Sequence, residues 1–338
     1  MTNRLNFVLS DFKRLDVDIE KLSEIFMAEK IAITGANGFL GMWLICLVEY
    51  INRTKEKDIQ LFLIDKSCSQ FEKISTNLTT RYEFIKCKIE SLTSIPLDVD
   101  FFIHAAGNPD ARDYLEDPLG GFSTDTCGAL NLVKLLKDSE KLKSFIFTST
   151  GWLSSKENLQ PNLNEGLKRY VESKECAERI IFAASDQIKL PVTIVRLYSY
   201  FGPFQKLSSP WVVNEFVRSA LVSKGLKLYS SGESKRALMY GADLAVSIAK
   251  ALCACKKSNV LEVGSVDSVT IWDLANKISS IFDISTMKIE RSMISKDNES
   301  DFVPSLELKE MSLTKNTDID YALTRTIKWY QEFENNES

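Results

Sequence analysis

Five apolar runs punctuate the first two hundred residues: KIAIT (30–34), IQLFLID (59–65), DVDFFIHAA (98–106), KSFIFTST (143–150) and LPVTIVRLY (190–198). Each has the length of a strand and is apolar on both faces, as strands buried in a parallel sheet are. Between them lie segments with helical spacing: 40–53, roughly 121–138, and 168–184. Strand alternating with helix predicts an α/β fold with a doubly wound parallel sheet. Ahead of the first strand, Leu22, Ile25 and Phe26 share a helical spacing, which predicts a short docking helix within an N-terminal extension, 1–28. The rhythm breaks after Arg196, in the Gly/Pro/Ser-rich stretch YFGPFQKLSSPW. Helices, short strands and charged stretches such as SKDNESD follow. The chain therefore divides into the extension, a sheet domain over 29–197 with a later contribution from about 236–264, and a smaller lobe made mainly of 198–338.

Composition narrows the classes of function. Of the 338 residues, 44% are hydrophobic and 26% charged, and the formal net charge is −4. That mildly acidic balance carries no footprint for nucleic acid. The seven cysteines are odd in number, scattered and without a CxxC pair, and His104 is the sole histidine, so no metal site is expected. Reduced thiols fit a cytoplasmic protein. The opening MTNRLNFVLSDFKRLDVD has no uninterrupted apolar core and reads as no signal peptide. The longest apolar run, GFLGMWLICLVEYI, is too short to span a bilayer and contains Glu49, so no membrane segment is expected.

The run from Ile31 to Ile33 meets Gly35, Gly38 and Gly41, after which apolar residues resume with Met42, Trp43 and Leu44. A strand, glycines and then a helix is the context of a dinucleotide-binding turn. One glycine permits the tight turn, the next lets backbone N–H groups approach a pyrophosphate, and the third lets helix and strand pack closely. The same glycines also suit a plain corner. The next strand bears on this, because LFLIDKS places Asp65 at its end, where an acid accepts hydrogen bonds from ribose hydroxyls and repels the 2′-phosphate of NADP. Together they point to a Rossmann-type sheet that binds NAD.

A second constellation lies in RYVESKECAERI, where Tyr170 and Lys174 stand four apart and so on one helix face. A phenol titrates near 10, and a neighbouring ammonium favours the phenolate. Such a pair can exchange a proton with a sugar hydroxyl or a ketone. Upstream, FIFTSTGWL ends a strand in hydroxyls, and Ser149 or Thr150 there can hold the reacting oxygen.

In these motifs the chain resembles the extended short-chain dehydrogenase/reductase family, in its NAD-dependent nucleotide-sugar epimerase/dehydratase branch. The resemblance runs from about 29 to 331. TGANGFLG, HAAG (104–107), FTST (147–150), YVESK (170–174) and RLYSYFGP (196–203) match in order, SGESKRALMYGADLA and TRTIKWYQEF resemble later segments, and the C-terminal lobe then corresponds to a substrate-binding lobe. The resemblance implies Tyr170 as base and acid, Lys174 on the nicotinamide ribose, and Thr150 as the Ser/Thr hydroxyl. It implies a dinucleotide site lined by Gly35, Asn37, Gly38, Phe39, Leu40, Asp65, Ile89, Ala105, Ala106 and Gly107. It implies Thr150, Ser199 and Arg236 toward substrate, Arg236 on its pyrophosphate, with His104 a strand-end residue.

Departures bear on the reaction. Dehydratases and decarboxylating members carry an acid just after the Ser/Thr, where this chain has Gly151 and Trp152. Ser154 and Ser155 replace the usual YG, Ser199 stands where many epimerases have asparagine, and Cys87-Lys88-Ile89 replaces a Gly-Asp pair near adenine. Asp125 stands near a frequent helix asparagine. The expected activity is NAD-dependent epimerisation of a nucleotide-activated sugar at C4 through a transient keto intermediate. A 4,6-dehydratase or keto-sugar reductase of the same branch, and a non-catalytic dinucleotide-binding regulator, are the alternatives. The resemblance also implies a homodimer. Leu130, Leu132, Val133 and Leu136 suit such an interface and equally suit packing on the sheet.

Overall fold

The structure is a computed structural model and describes residues 3–26, 29–96, 98–154, 164–223, 225–228, 230–254, 259–282, 289–291, 301–304 and 316–334. Contacts divide the chain into one unit of residues 1–197 with 244–263 and a second of 198–243 with 264–338.

The first unit is built on a seven-stranded sheet. Its strands are β1 (Lys30–Thr34), β2 (Gln60–Asp65), β3 (Tyr82–Lys86), β4 (Phe101–His104), β5 (Ser144–Thr150), β6 (Val192–Leu197) and a seventh, Asn259–Val263. Every pairing is parallel, and β1 lies between β2 and β4, Thr34 standing beside both Ile64 and His104. The strand order is therefore 3-2-1-4-5-6-7, and the point where it reverses lies at β1, where ligands of open α/β sheets bind. Because all strands run the same way, Thr34, His104 and Thr150 end at one edge.

The helices follow from the same apolar pattern. α1 (Arg4–Phe12) and α2 (Asp16–Ile25) precede β1, and α3 (Phe39–Lys55) follows it. α4 (Ser69–Ser75) leads into β3; α5 (Asp113–Glu116), α6 (Pro118–Phe122) and α7 (Gly128–Leu136) lie between β4 and β5, with a π-helical turn over Ser123–Cys127. α8 (Glu165–Ile188) leads into β6, with Asn164 accepting a hydrogen bond from Leu167 N–H at its N-terminus. On one face of the sheet, Phe102, Phe145, Phe147, Val192 and Ile194 pack with Ala129, Leu132 and Leu136 of α7 and Ala177 and Ile181 of α8.

Three expectations change in detail. The N-terminal stretch forms two helices rather than one. Leu15, Ile19, Leu22 and Phe26 share one buried stripe at i, i+4, i+7, i+11, which leaves Ile25 off it and 49% exposed. Phe12 packs on Trp43 and Tyr50 of α3, and Phe26 on Phe101, so this stretch is built into the first unit. The strand β3 carries no long apolar run; it lies at the sheet edge, where charged positions such as Glu83 and Lys86 are at home. Of the four residues that suit either an interface or the sheet, Leu132 and Leu136 are core, Val133 packs partly against it, and Leu130 is exposed.

Among its described residues the second unit holds the helices Val212–Ser223, Ile271–Ile281 and Ile319–Trp329 and three small strand pairs. Tyr330 donates to the Gln205 carbonyl and accepts from Asn214, and Asp243 holds the backbone and hydroxyl of Thr317.

Candidate active site

The glycine turn joins β1 to α3. Gly35 has φ +69°, a conformation L side chains rarely adopt, and a Cβ there would lie 2.5 Å from the Ala105 carbonyl carbon. Gly41 fits against the turn so closely that a Cβ would collide with the Gly35 carbonyl. Gly38 caps α3 with no side-chain hydrogen bond and is exposed, so the positive end of the helix dipole faces outward. Asp65, at the end of β2, accepts the Asn37 N–H at 3.0 Å and the Ser67 N–H at 3.0 Å. Asn37 in turn accepts from the N–H groups of Gln70 and Phe71, which fixes the start of α4 to the turn. Phe39 is half-buried, and Leu40 is buried in the core.

Ala105, Ala106 and Gly107 leave β4 directly beside this turn. Thr34 Oγ1 accepts from Ala106 N–H and meets His104 Nδ1 at 2.7 Å. His104 stacks on Phe147, and burial, with Lys174 adding to it, pushes the imidazole down to about 3. It is thus a neutral strand-end residue, as the sequence suggests. Ile89 is 5% exposed and belongs to the core, its side chain pressed on Gly128.

The loop from β4 also leads to the second constellation, since a Cβ on Gly107 would lie 2.8 Å from Lys174 Nζ. Tyr170, Ser173 and Lys174 are all on the buried face of α8. The Thr150 hydroxyl faces the Tyr170 phenol closely enough to favour its ionised form. Ser149 has no hydrogen-bond partner among the described residues, so Thr150 is the hydroxyl the strand end presents to the phenol. Trp152, whose N–H donates to Thr150 Oγ1 at 3.4 Å, packs with Tyr114, Leu153, Tyr170 and Val171. An apolar wall thus stands where an acid is found in dehydratases.

Sequence reasoning noted Asp125 but did not see its role. This carboxylate is 1% exposed, and its Oδ1 lies 2.8 Å from Lys174 Nζ. Its Oδ2 accepts from Tyr114 Oη at 2.6 Å and from Ser173 Oγ at 2.9 Å. The Tyr114 and Tyr170 rings meet edge to face, with centroids 5.4 Å apart. An acid at this helix position was the signal; its partners are 11, 48 and 49 residues away and only the fold identifies them. The consequence for Tyr170 runs against expectation: burial raises its pKa first, Thr150 lowers it, and Asp125 raises it again. Lys174 is already matched by a carboxylate and does not by itself make the phenol acidic.

The cradle fits a dinucleotide: an uncapped helix N-terminus, a positive-φ glycine, an acid at the end of the neighbouring strand, and an exposed Gly107 leading to the phenol. Ser199 and Arg236 lie in the second unit. There the Ser199 carbonyl accepts from Met239 N–H, and the Arg236 guanidinium donates to the Lys235 carbonyl. Among the described residues no cluster of metal-binding side chains occurs, and no helix is long and apolar enough to cross a membrane.

Known proteins agree with this architecture. A UDP-glucuronic acid decarboxylase 1 of Xenopus tropicalis is 24% identical over 269 residues, 76% of this chain and 62% of that protein, so the chain spans less than two thirds of that relative. A UDP-N-acetylglucosamine 4-epimerase from Methanobrevibacter ruminantium M1, in complex with UDP-N-acetylmuramic acid, superposes with a TM-score of 0.75 at 21% identity, covering 90% of this chain and 99% of that one. WbmF of Bordetella bronchiseptica, in complex with NADH, gives a TM-score of 0.75 at 23% identity, covering 91% and 93%. The family described as NAD dependent epimerase/dehydratase matches residues 31–264, from β1 through the seventh strand. With its glycine turn, strand-end acid and buried Tyr-Lys pair, the chain belongs to the NAD-dependent epimerase/dehydratase family of enzymes.

Proposed function

We propose that the protein is an NAD-dependent epimerase of a nucleotide-activated sugar, acting at C4 through a transient ketone. The observation that carries this reading is the convergence of Thr150, Tyr170 and Lys174 at the sheet edge that also bears the glycine turn, with no acid following Thr150. Asp65 would hold the adenosine ribose, the Gly35–Gly38 backbone the pyrophosphate, and Lys174 the nicotinamide ribose. The bound cofactor supplies a hydride acceptor and, on return, a hydride donor. Thr150 would hold the sugar oxygen; Tyr170, as its phenolate, would take the hydroxyl proton as the carbonyl forms, and the resulting phenol would give it back as the carbonyl is reduced from the opposite face. Arg236 would pair with the substrate pyrophosphate, for which a guanidinium fork is suited. Elimination of water needs a further acid or base beside the sugar, and Gly151 and Trp152 supply none. A homodimer in the cytoplasm accords with the rest of the reading.

The test is incubation with UDP-, dTDP-, CDP- and GDP-sugars. An epimer of unchanged mass supports the proposal. A product lighter by one water overturns it for a dehydratase, and turnover only with added NAD(P)H overturns it for a keto-sugar reductase. No turnover with any sugar favours a dinucleotide-binding regulator.

A further inference from the structure

The Lys174–Asp125 pair has a consequence for the phenol beside it. Both side chains are buried, at 6% and 0% exposure, where an ion pair is little screened by solvent. The carboxylate is held from three sides, by the ammonium, the Tyr114 hydroxyl and the Ser173 hydroxyl. It sits on the π-helical turn 123–127, a distortion that turns up repeatedly at functional positions of helices.

The charges around Tyr170 can be named element by element. From its own helix come Lys174 and Arg169, the latter's guanidinium donating to the Tyr114 carbonyl. From the 123–127 turn comes Asp125, from α5 the neutral Tyr114, and from β5 the Thr150 hydroxyl. From β4 comes His104, which is neutral above about pH 3. Among the described residues, the opposite charges in contact here are Lys174 and Asp125.

We infer that Asp125 is a positioning residue that cancels the charge of Lys174, so that Tyr170 stays a neutral phenol until a cationic nicotinamide lies beside it. An asparagine at 125 would keep the acceptor for Tyr114 and Ser173 but leave the ammonium unopposed, and the phenol would then ionise on its own. With aspartate, the proton on Tyr170 follows the charge of what is bound: a phenolate able to accept the sugar's proton when the ring is oxidised and positive, a phenol able to return it when the ring is reduced and neutral. The inference rests on the reading of Tyr170 as the acid and base.

The experiment titrates tyrosinate absorbance in the intact protein, with the Tyr170→Phe protein subtracted so that one phenol of ten is seen. In the wild type without cofactor, this phenol should ionise above the ordinary value near 10. Asp125→Asn should move it down by about one pH unit or more, a tenfold or greater gain in acidity. Ser173→Ala, which removes a hydrogen bond and no charge, should leave it in place. In the wild type, NAD⁺ should lower it and NADH should not, a comparison that needs no folded variant at 125. The inference is overturned if Asp125→Asn titrates as the wild type does, if Ser173→Ala shifts the phenol equally, or if both cofactor forms act alike. None of these readouts uses a sugar, so a failed sugar panel and a failed titration remain separate results.

Discussion

The turn from Gly35 to Gly41 and the cluster around Lys174 stand at the same edge of one sheet, yet the first is made of backbone and the second of side-chain charge. In the turn, what matters is what the residues lack: a Cβ at Gly35, a capping side chain at Gly38. In the cluster, what matters is what four distant segments bring together: Tyr114, Asp125, Thr150 and the Tyr170–Lys174 pair. If the turn binds and the cluster reacts, as proposed, the two can be damaged separately. On the proposed reading, a bulky side chain in the turn blocks the dinucleotide, whereas removing the Tyr170 hydroxyl leaves the cradle whole.

The sharpest break comes from Gly35→Val. The φ of +69° and the 2.5 Å approach to Ala105 both oppose a side chain, so a loss of at least about 2 kcal/mol in stability is expected. Calorimetric titration should show no dinucleotide binding, and retained binding would contradict the cradle. Tyr170→Phe should do the reverse, lowering turnover by about 10²- to 10⁴-fold while dinucleotide affinity stays within a few-fold of wild type. Equal losses of binding and turnover would show that the two regions are not separable.

His104 lies at the seam, bonded to Thr34 of the turn's own strand and feeling Lys174 of the cluster. Its folded pKa of about 3 is below the ordinary 6.5, so the unfolded chain takes up a proton first as pH falls. Stability from this group is complete above pH 6.5 and is lost as pH falls toward 3, at no more than about 1.4 kcal/mol per unit. As His104 is the sole histidine, chemical denaturation between pH 6.5 and 5 reads it almost alone, and His104→Asn should flatten that slope.

Smaller effects sharpen the picture within the turn. Asp65→Ala removes the acceptor of the Asn37 and Ser67 N–H groups and should weaken NAD binding about tenfold, with a smaller loss for NADP. Asn37→Ala removes the acceptor for the first N–H groups of α4 and should cost about 1 kcal/mol in melting experiments. If Asn37→Ala instead matched Asp65→Ala in binding, the asparagine side chain would be a ligand contact rather than a brace.

What the chain's own order of residues determined was everything local. The apolar runs marked β1, β2, β4, β5 and β6, the glycine spacing marked the turn after β1, and the four-residue interval put Tyr170 and Lys174 on one face of α8. These features repeat with the period of a strand or a helix, or depend on a backbone that only glycine adopts easily, so neighbouring residues suffice to read them. The edge strand β3 escaped because its charged positions break the apolar pattern. Tertiary structure alone decided that Thr150 stands by the Tyr170 phenol, that His104 is buried, and that Asp125 pairs with Lys174. Those depend on which side of a strand faces which helix and on how far water is excluded. A lysine that looks like a bare cation in the sequence is a neutralised one in the fold, because desolvation makes a buried ammonium costly unless a carboxylate comes with it.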